Sequence, residues 1–334
     1  MMNVMLGFFA VLVLLASPGA FAAMPVRVNI GVASVSSSAL SLWAAQERGI
    51  FAKYGIDAQP ILIRGGSTLV ASLLTGEIHA AFTSGVSVLG AAAQGVDVKM
   101  LTSISSRVGW KLIASPSINK AEDLRGKRFG VQSIVGSTWM YAMLALEELR
   151  LEPRRDNISF VPIGDPVIIA QALQAGRIDA AVLDPALARP LASKGFIQLL
   201  DLATTNATFP GLGVGVTRST LEQQSAALEK LVTALTESLA FVQLPANKAV
   251  VVKILMKHLR INELNLAEDG YQDHLVTLNR KPYPSLDGLR NAQRLMAQQN
   301  PKIVALKVDE LIDARFVRKL DESGFIDRLY AAQR

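Results

Sequence analysis

Apolar and polar residues follow one another along much of the chain in the pattern of strands that are each followed by a helix. Val26–Val32 alternates and is rich in β-branched residues, which predicts a strand. Ser36-Ser37-Ser38 then supplies helix-capping chemistry before an apolar-periodic helix over Ala39–Tyr54, which Gly55 ends. The pattern continues to about residue 104 and predicts the order βαβαβαβ, which is typical of a mostly parallel sheet with helices on its faces.

The same pattern returns about one hundred residues later. Gly76–Gly95 aligns without gaps on Gly176–Gly195, and six of the twenty positions are identical. A predicted strand over Arg128–Val131, followed by Gly136-Ser137-Thr138 and a helix, likewise resembles the first strand and its serine-rich loop. The chain is therefore predicted to contain two similar α/β lobes.

The division between the lobes follows from where the pattern changes. After Gly211–Val216 the chain becomes mostly helical, which indicates that it returns to the first lobe. We expect one lobe from residues 23–108 and 212–334 and the other from 109–211. Two crossings, near Ser105–Lys111 and Thr205–Gly213, would then form a two-stranded hinge.

Composition excludes several classes of protein and site. With 50% hydrophobic residues among 334, the chain is not of a disordered or low-complexity class. The absence of cysteine excludes a disulfide framework, a thiolate zinc site, an iron–sulfur cluster and a cysteine nucleophile. The net charge of +6 is modest and its basic residues are scattered, so no nucleic-acid partner is expected.

The first 22 residues have the character of an export signal. They carry no charged side chain, and Met5–Leu15 is an apolar run of signal-peptide length. Ala20-Phe21-Ala22 matches the small-x-small cleavage pattern, so we expect residues 1–22 to be removed near Ala22 and the protein to be periplasmic. Because no Lys or Arg precedes the apolar run, an uncleaved membrane anchor remains the alternative.

Four segments, in order along the chain, carry a resemblance to a known family. They are Leu42–Ile56 (LWAAQERGIFAKYGI), the two G-x-I-[DH]-A-A segments at Gly76 and Gly176, Glu122–Lys127 (EDLRGK) and Arg315–Ile326. Together they resemble the periplasmic substrate-binding proteins of the nitrate/sulfonate/taurine ABC transporter family, which also contains thiamine-precursor binders.

The resemblance implies a fold, a role and partners. The implied fold is the α/β two-lobed type II periplasmic-binding-protein fold, with two mixed, mostly parallel sheets, a two-stranded hinge and a helical C-terminal segment. The implied role is capture of a small-molecule solute for an ABC transporter permease with its ATPase, by a protein expected to be monomeric. No cofactor and no metal are expected.

The candidate ligand-binding residues follow from the predicted ends of the strands. In parallel α/β sheets, ligands bind beyond the carboxyl ends of strands, where helix N-termini offer free N–H groups and a partial positive charge. Hydroxyl- and glycine-rich loops on both lobes fit a small oxyanion there, although each residue is also explained as a helix cap. These loop candidates are Ser36, Ser37, Gly66, Ser67, Thr83, Ser84, Gly136, Ser137, Thr138 and Asp165.

Two charged residues complete the candidate set. Asp184 occupies the repeat position of Ser84, so it is either a carboxylate that holds an amine or ring N–H of the ligand, or the cap of the helix that begins at Pro185. Arg107, beside the first crossing, is either a partner for an acidic ligand or a solvated hinge residue.

The sequence favours a binding protein over an enzyme, and no catalytic residue is expected. It contains no G-x-S-x-G, G-x-x-x-x-G-K-[ST] or H-E-x-x-H motif, and its three histidines are far apart. The first hypothesis is therefore a non-catalytic binder of a small anionic solute such as a sulfonate, nitrate or taurine. The alternatives are a binder of a thiamine-pyrimidine precursor or an aromatic acid, an enzyme acting on a pyrimidine precursor, and a sensory lobe of a membrane receptor.

Overall fold

A computed structural model describes residues 24–33, 35–64 and 66–331, so the predicted signal segment lies outside the described residues. The strands are β1 Val26–Val32, β2 Ile56–Leu62, β3 Ala80–Ser84, β4 Val98–Met100, β5 Lys111–Ala114, β6 Arg128–Val131, β7 Ser159–Pro162, β8 Ala180–Leu183, β9 Ile197–Asp201 and β10 Leu212–Thr217. The helices are α1 Leu40–Glu47, α2 Ile50–Lys53, α3 Gly66–Leu74, α4 Gly85–Ala92, α5 Ser137–Glu148, α6 Pro166–Gln174, α7 Pro185–Ala192, α8 Arg218–Gln223, α9 Ser225–Gln243, α10 Lys248–Leu259, α11 Leu264–Leu275, α12 Leu286–Met296, α13 Arg315–Glu322 and α14 Phe325–Ala331.

The strands form two five-stranded sheets with the same arrangement. The first sheet has the order β2-β1-β3-β10-β4 and the second has β7-β6-β8-β5-β9. In each sheet the fourth strand runs antiparallel to both neighbours, whereas the other four run in one direction. Both sheets are therefore mixed and mostly parallel, as predicted. We call each sheet with its helices a lobe.

The internal repeat extends to individual glycines. Gly31 pairs with Ala81 in the first sheet, and Gly130 pairs with Ala181 in the second. A Cβ on Gly31 would lie 2.5 Å from the Cδ1 of Ile78, and one on Gly130 would lie 2.3 Å from that of Ile178. At both positions an isoleucine of the repeated G-x-I motif packs directly over the strand, so any larger residue would require that side chain to shift.

The chain changes sheets twice. One crossing joins β4 to β5 and the other joins β9 to β10. Arg107 and Thr208 form an antiparallel bridge between the two crossings, which is the geometry of a two-stranded hinge. The lobe boundaries at 108/109 and 211/212 remain a prediction within these crossings.

Helix α11 contacts both lobes beside the hinge. The Tyr271 hydroxyl donates to the carbonyl oxygen of Val242 at 2.7 Å, which attaches α11 to α9. On its other side Gly270 lies against α7, where an added Cβ would be 2.8 Å from the Cα of Ala186. Ion pairs extend this contact, because Asp273 lies 2.7 Å from the guanidinium of Arg189 and 3.3 Å from the ammonium of Lys111.

Most of the helices after β10 complete the core of the first lobe, whereas α12 packs with α4 and residues of the second lobe. Helix α9 packs on α1 through buried residues such as Leu231, Leu235 and Leu239. Among the described residues no single helix is long and apolar enough to cross a membrane. Only α9 and the segment Pro245–Leu259 taken as a pair meet those requirements, and the pair is bent by 82°.

Several predicted elements differ from the observed ones. The helix expected over Ala39–Tyr54 is broken into α1 and α2, because Gly49 adopts a left-handed conformation with a φ of 67°. The fourth strand was expected to reach about residue 104, but β4 ends at Met100. The first crossing begins directly after Met100. Pro162 ends β7 at the edge of its sheet, a position in which a strand tolerates a residue without an N–H.

Candidate functional site

A cavity lies between the two lobes. It has a volume of about 350 Å³ and is lined by residues from both lobes and from the segment around α12. From the first lobe it receives the loop after β1, the end of β3 and one face of α4. From the second it receives the loop after β6 and the first turns of α5. The predicted residues that line it are Ser36, Thr83, Ser84, Gly136, Ser137 and Thr138.

A hydroxyl pair joins the lobes at this cavity. The Oγ atoms of Ser84 and Ser137 lie 2.7 Å apart. Ser84 ends β3 just before α4, and Ser137 begins α5, so each hydroxyl stands at the start of a helix. Ser84 makes no side-chain capping bond to α4. The N–H of Gly85, the first in α4, donates to the carbonyl oxygen of Pro210 at 2.8 Å, whereas the following N–H groups of α4 and the first ones of α5 have no partner within their helices. Hydroxyl and backbone donors of both lobes therefore converge on one region.

Two aromatic residues line the same cavity. The ring centroids of Trp110 and Tyr141 are 4.9 Å apart, and Tyr141 in turn lies 4.7 Å from Phe209. Trp110 and Tyr141 are each only 7% exposed. Burial, with a smaller contribution from the Asp184 carboxylate, raises the pKa of Tyr141 well above its usual range. The phenol therefore remains a neutral hydroxyl at the cavity wall.

No charged side chain occurs among the described residues that line the cavity. Its polar groups are hydroxyls and the amides of Gln94, Gln132 and Asn300. Gln132 also connects the lobes, since its Nε2 donates to the carbonyl oxygen of Ala33 at 3.0 Å. The remaining wall is apolar and includes Ile134 and Met296.

Asp184 lies outside the cavity lining and is fully buried. One carboxylate oxygen accepts from the backbone N–H of Ala186 at 2.9 Å and so caps α7. The other accepts from the backbone N–H of Ser37 at 2.8 Å and from the Ser37 hydroxyl. Burial raises the pKa of Asp184, while these hydrogen bonds act in the opposite direction. The carboxylate thus caps α7 and joins the lobes. Both of its oxygens accept hydrogen bonds from protein groups, and neither faces the cavity.

The other predicted residues are distributed around the cavity. Asp165 begins α6 but makes no side-chain cap; it pairs instead with the guanidinium of Arg64 across the cleft. Arg107 is exposed and lines a separate, water-sized chamber of about 20 Å³ together with Ser37 and His274. Gly66 and Ser67 lie in the first turn of α3, whose Val70 reaches the cavity.

Sequence reasoning missed part of the lining. Gln132 and Ser133 directly follow β6, so the rule that ligands bind beyond strand ends already pointed to them. Tyr141 is four residues after Ser137 in α5 and therefore on the same helix face. Trp110 directly precedes β5, and its place in the cavity wall follows only from the position of the first crossing.

Within the described ranges, no group of three or more His, Asp or Glu side chains is arranged to hold a metal ion.

Comparison with known proteins gives one family match and many structural matches. The family model described as "NMT1/THI5 like" matches residues 37–246. No curated protein sequence matches the chain.

Three matching solved structures cover nearly the whole chain. A protein of Bordetella bronchiseptica RB50 has 19% identity and a TM-score of 0.77, over 89% of this chain and 97% of that one. The alkanesulfonate-binding protein SsuA of Xanthomonas axonopodis pv. citri, bound to MOPS, has 18% identity and a TM-score of 0.71, over 88% and 100%. The periplasmic nitrate-binding protein NrtA of Synechocystis PCC 6803 has 13% identity and a TM-score of 0.73, over 90% and 89%. At these identities the likeness shows the fold, and it confirms the predicted two-lobed type II periplasmic-binding-protein fold.

Proposed function

Because the chain belongs to the NMT1/THI5-like family, we propose that it is the solute-binding component of an ABC importer, which captures a small anionic solute between its lobes and delivers it to the permease. The observation that carries the proposal is the cavity of about 350 Å³ lined by hydroxyls from the strand ends of both lobes. Two structures of the same fold are those of an alkanesulfonate-binding and a nitrate-binding protein, which supports a sulfonate or nitrate-like solute. We place the protein in the periplasm for the same reason.

Neutral donors are sufficient to hold an oxyanion in such a cavity. Hydrogen bonds to a charged acceptor are shorter and about twice as strong as those between neutral groups. The first N–H groups of α4 and α5 add a partial positive charge next to the Ser84 and Ser137 hydroxyls. The solute would therefore be bound without a counter-charge from the protein.

Closure of the lobes would couple binding to delivery. Contacts that join the lobes around the cleft include Ser37 with Asp184, Ser84 with Ser137, Gln132 with Ala33, and Arg64 with Asp165. A solute that bridges the same two loops stabilises the closed arrangement by population shift, with the crossings as the hinge. We place the lobe boundaries at 108/109 and 211/212, and we propose that the permease recognises the closed form of a monomer.

The proposal is tested by a thermal-shift screen of the purified protein. The panel contains nitrate, sulfate, alkanesulfonates, taurine, aromatic carboxylates and pyrimidine precursors. A ligand present at about 100 times its dissociation constant adds roughly 2.7 kcal/mol to the free energy of unfolding, which is a visible shift. We expect sulfonates or related anions to raise the melting temperature.

Recovery of the ligand separates the binding protein from an enzyme. Each stabilising compound is incubated with the protein and analysed by chromatography and mass spectrometry. Intact ligand is the expected result, because no catalytic residue is proposed for this cavity. Conversion of a pyrimidine precursor would contradict the proposal and favour an enzyme. Stabilisation by pyrimidine precursors alone would contradict it and favour a binder of a thiamine precursor.

A further inference from the structure

The cavity is much larger than the smallest anions require. One liquid water occupies about 30 Å³, so a volume of about 350 Å³ corresponds to on the order of ten waters. Volumes from about 300 Å³ upward are typical of pockets for organic ligands. Nitrate or sulfate alone would leave most of the space to water, so the cavity is sized for an oxyanion that carries an organic group.

The walls beyond the hydroxyl pair are suited to a flat apolar group. Trp110 and Tyr141, whose ring planes are inclined by 48°, contribute aromatic surface to the cavity wall, and Tyr141 is held against Phe209. Ile134, Met296 and Ile303 provide aliphatic surface in the same cavity. Aromatic side chains favour stacked or edge-on contacts with a planar ring over contacts with a compact ion.

The cavity offers no counter-charge to an ammonium group. The described lining contains neither Asp nor Glu. The nearby carboxylate of Asp184 is fully buried, and its oxygens already accept from Ala186 and Ser37. An ammonium placed here would lose its hydration without gaining a carboxylate, which is strongly unfavourable.

We infer that the solute is an aryl or similarly flat organic oxyanion, a sulfonate or carboxylate that lacks an ammonium group, and that Trp110 and Tyr141 select its apolar body. The inference rests on the proposed function, because it assumes that the anion binds at the Ser84–Ser137 region of this cavity. It distinguishes this chain from a receptor for nitrate or for an aminosulfonate.

Matched probes test each feature of the solute separately. Calorimetric titration of the purified protein compares ethanesulfonate with taurine, which differ by the ammonium group. It compares methanesulfonate with benzenesulfonate, which differ by the ring, and benzenesulfonate with methyl phenyl sulfone, which lacks the charge. Benzoate tests the carboxylate, and nitrate tests the bare anion.

The expected order is specific. Taurine binds at least tenfold more weakly than ethanesulfonate, and benzenesulfonate or benzoate binds at least tenfold more tightly than methanesulfonate. The neutral sulfone binds at least tenfold more weakly than benzenesulfonate. Taurine or nitrate as the tightest ligand would overturn this inference but leave the proposed anion binding intact. Binding of the sulfone alone, or of none of the probes, would overturn both.

Variants of the aromatic wall locate the selection. Trp110→Leu is expected to lower the affinity for benzenesulfonate about tenfold and to change the affinity for methanesulfonate less than threefold. Trp110→Phe is expected to retain most of the wild-type affinity for benzenesulfonate. Trp139→Phe is the control, since Trp139 is 1% exposed in the same lobe and does not line the cavity. Equal losses for both sulfonates in Trp110→Leu would contradict the role of Trp110. If Trp110→Leu does not fold, Trp110→Phe and the wild-type probe series decide.

Discussion

Ser84 and Ser137 face each other across the cleft with their hydroxyl oxygens 2.7 Å apart, and the internal repeat places a second pair in the equivalent positions. One hundred residues separate Ser37 from Ser137 and Ser84 from Asp184, and Ser37 bonds Asp184 across the same cleft. Two of the contacts between the lobes are thus related by the repeat. One joins two neutral hydroxyls in the cavity, and the other is charge-assisted and fully buried outside it. We expect a solute to compete for the first contact and to leave the second in place.

Removing the cavity hydroxyls should therefore affect affinity. Ser137→Ala is expected to weaken the binding of the panel's best anion about tenfold, equivalent to about 1.4 kcal/mol, because one donor to a charged acceptor is lost. Titration calorimetry measures this change. The free energy of unfolding without ligand should change by less than about 1 kcal/mol in the double variant Ser84→Ala/Ser137→Ala, since neither hydroxyl is left facing an unpaired partner. An unaltered affinity in the double variant would contradict the proposed site.

Asp184→Ala should instead act on stability. The substitution removes the cap of α7 and leaves the buried Ser37 N–H and hydroxyl without their acceptor. A loss of about 2–4 kcal/mol in the free energy of unfolding is expected from these two effects. Urea unfolding measures it, and Asp184→Asn, which keeps an acceptor oxygen, should lose less. Wild-type stability in Asp184→Ala would show that the carboxylate holds neither helix nor lobe.

Gly270 tests the contact between α11 and α7. In the middle of a helix alanine is favoured over glycine by about 1 kcal/mol, but here an added Cβ would be 2.8 Å from the Cα of Ala186. Gly270→Ala is therefore expected to lower the free energy of unfolding by about 1–3 kcal/mol through overpacking. Gly90→Ala in α4 is the matched control, because its Cβ would be 3.8 Å from the Met296 Cε. Equal stability of the two variants would contradict the close approach of the helices.

The buried His274 predicts a pH dependence of stability. Burial lowers the pKa of His274 to about 4 from 6.5, so the unfolded chain binds a proton at a higher pH than the folded protein does. The contribution of the neutral, buried His274 to the free energy of unfolding is therefore fully present above about pH 6.5 and is lost as the pH falls to about 4. The loss is about 3 kcal/mol, because each pKa unit corresponds to about 1.4 kcal/mol.

The measurement is urea unfolding at pH 7 and pH 4.5 for the wild type and His274→Gln. Carboxylates contribute to acid destabilisation in both proteins, so the difference between them isolates the histidine. The variant's free energy of unfolding should fall less between the two pH values. Identical falls would show that His274 does not resist protonation in the folded protein.

The sequence predicted the arrangement of the lobes because its signals are local. Glycine ends helices at 76, 95, 176 and 195 with positive φ, and the motif isoleucines Ile78 and Ile178 pack over Gly31 and Gly130. The sequence did not predict β5, which follows the first crossing instead of a helix, or β9, which lies between α7 and the second crossing. Strand β5 pairs with β8 on one side and with β9 on the other. These pairings join distant parts of the chain, so no local sequence pattern predicts them.

The candidate site was predicted only as far as strand ends reveal it. Six of the twelve candidates line the cavity, because residues at the ends of neighbouring strands and in the loops after them are brought together by the sheet. Asp165 and Asp184 also follow strands, but their carboxylates bind residues of the other lobe. Asp165 pairs with Arg64, and Asp184 accepts hydrogen bonds from Ser37. The aromatic wall depends on how the first crossing and α5 meet, which is a tertiary relationship.

The central claim is that the solute occupies the cavity between the lobes, and Ser87→Trp tests it most directly. Ser87 lies on α4 and lines the cavity, so an indole at this position would fill space that the solute needs. Titration calorimetry measures the affinity of the panel's best anion for the wild type, for Ser87→Trp and for the exposed control Ser117→Trp. The account predicts at least a hundredfold loss of affinity in Ser87→Trp, none in Ser117→Trp, and cooperative unfolding of all three. Wild-type affinity in a folded Ser87→Trp protein would place the solute elsewhere.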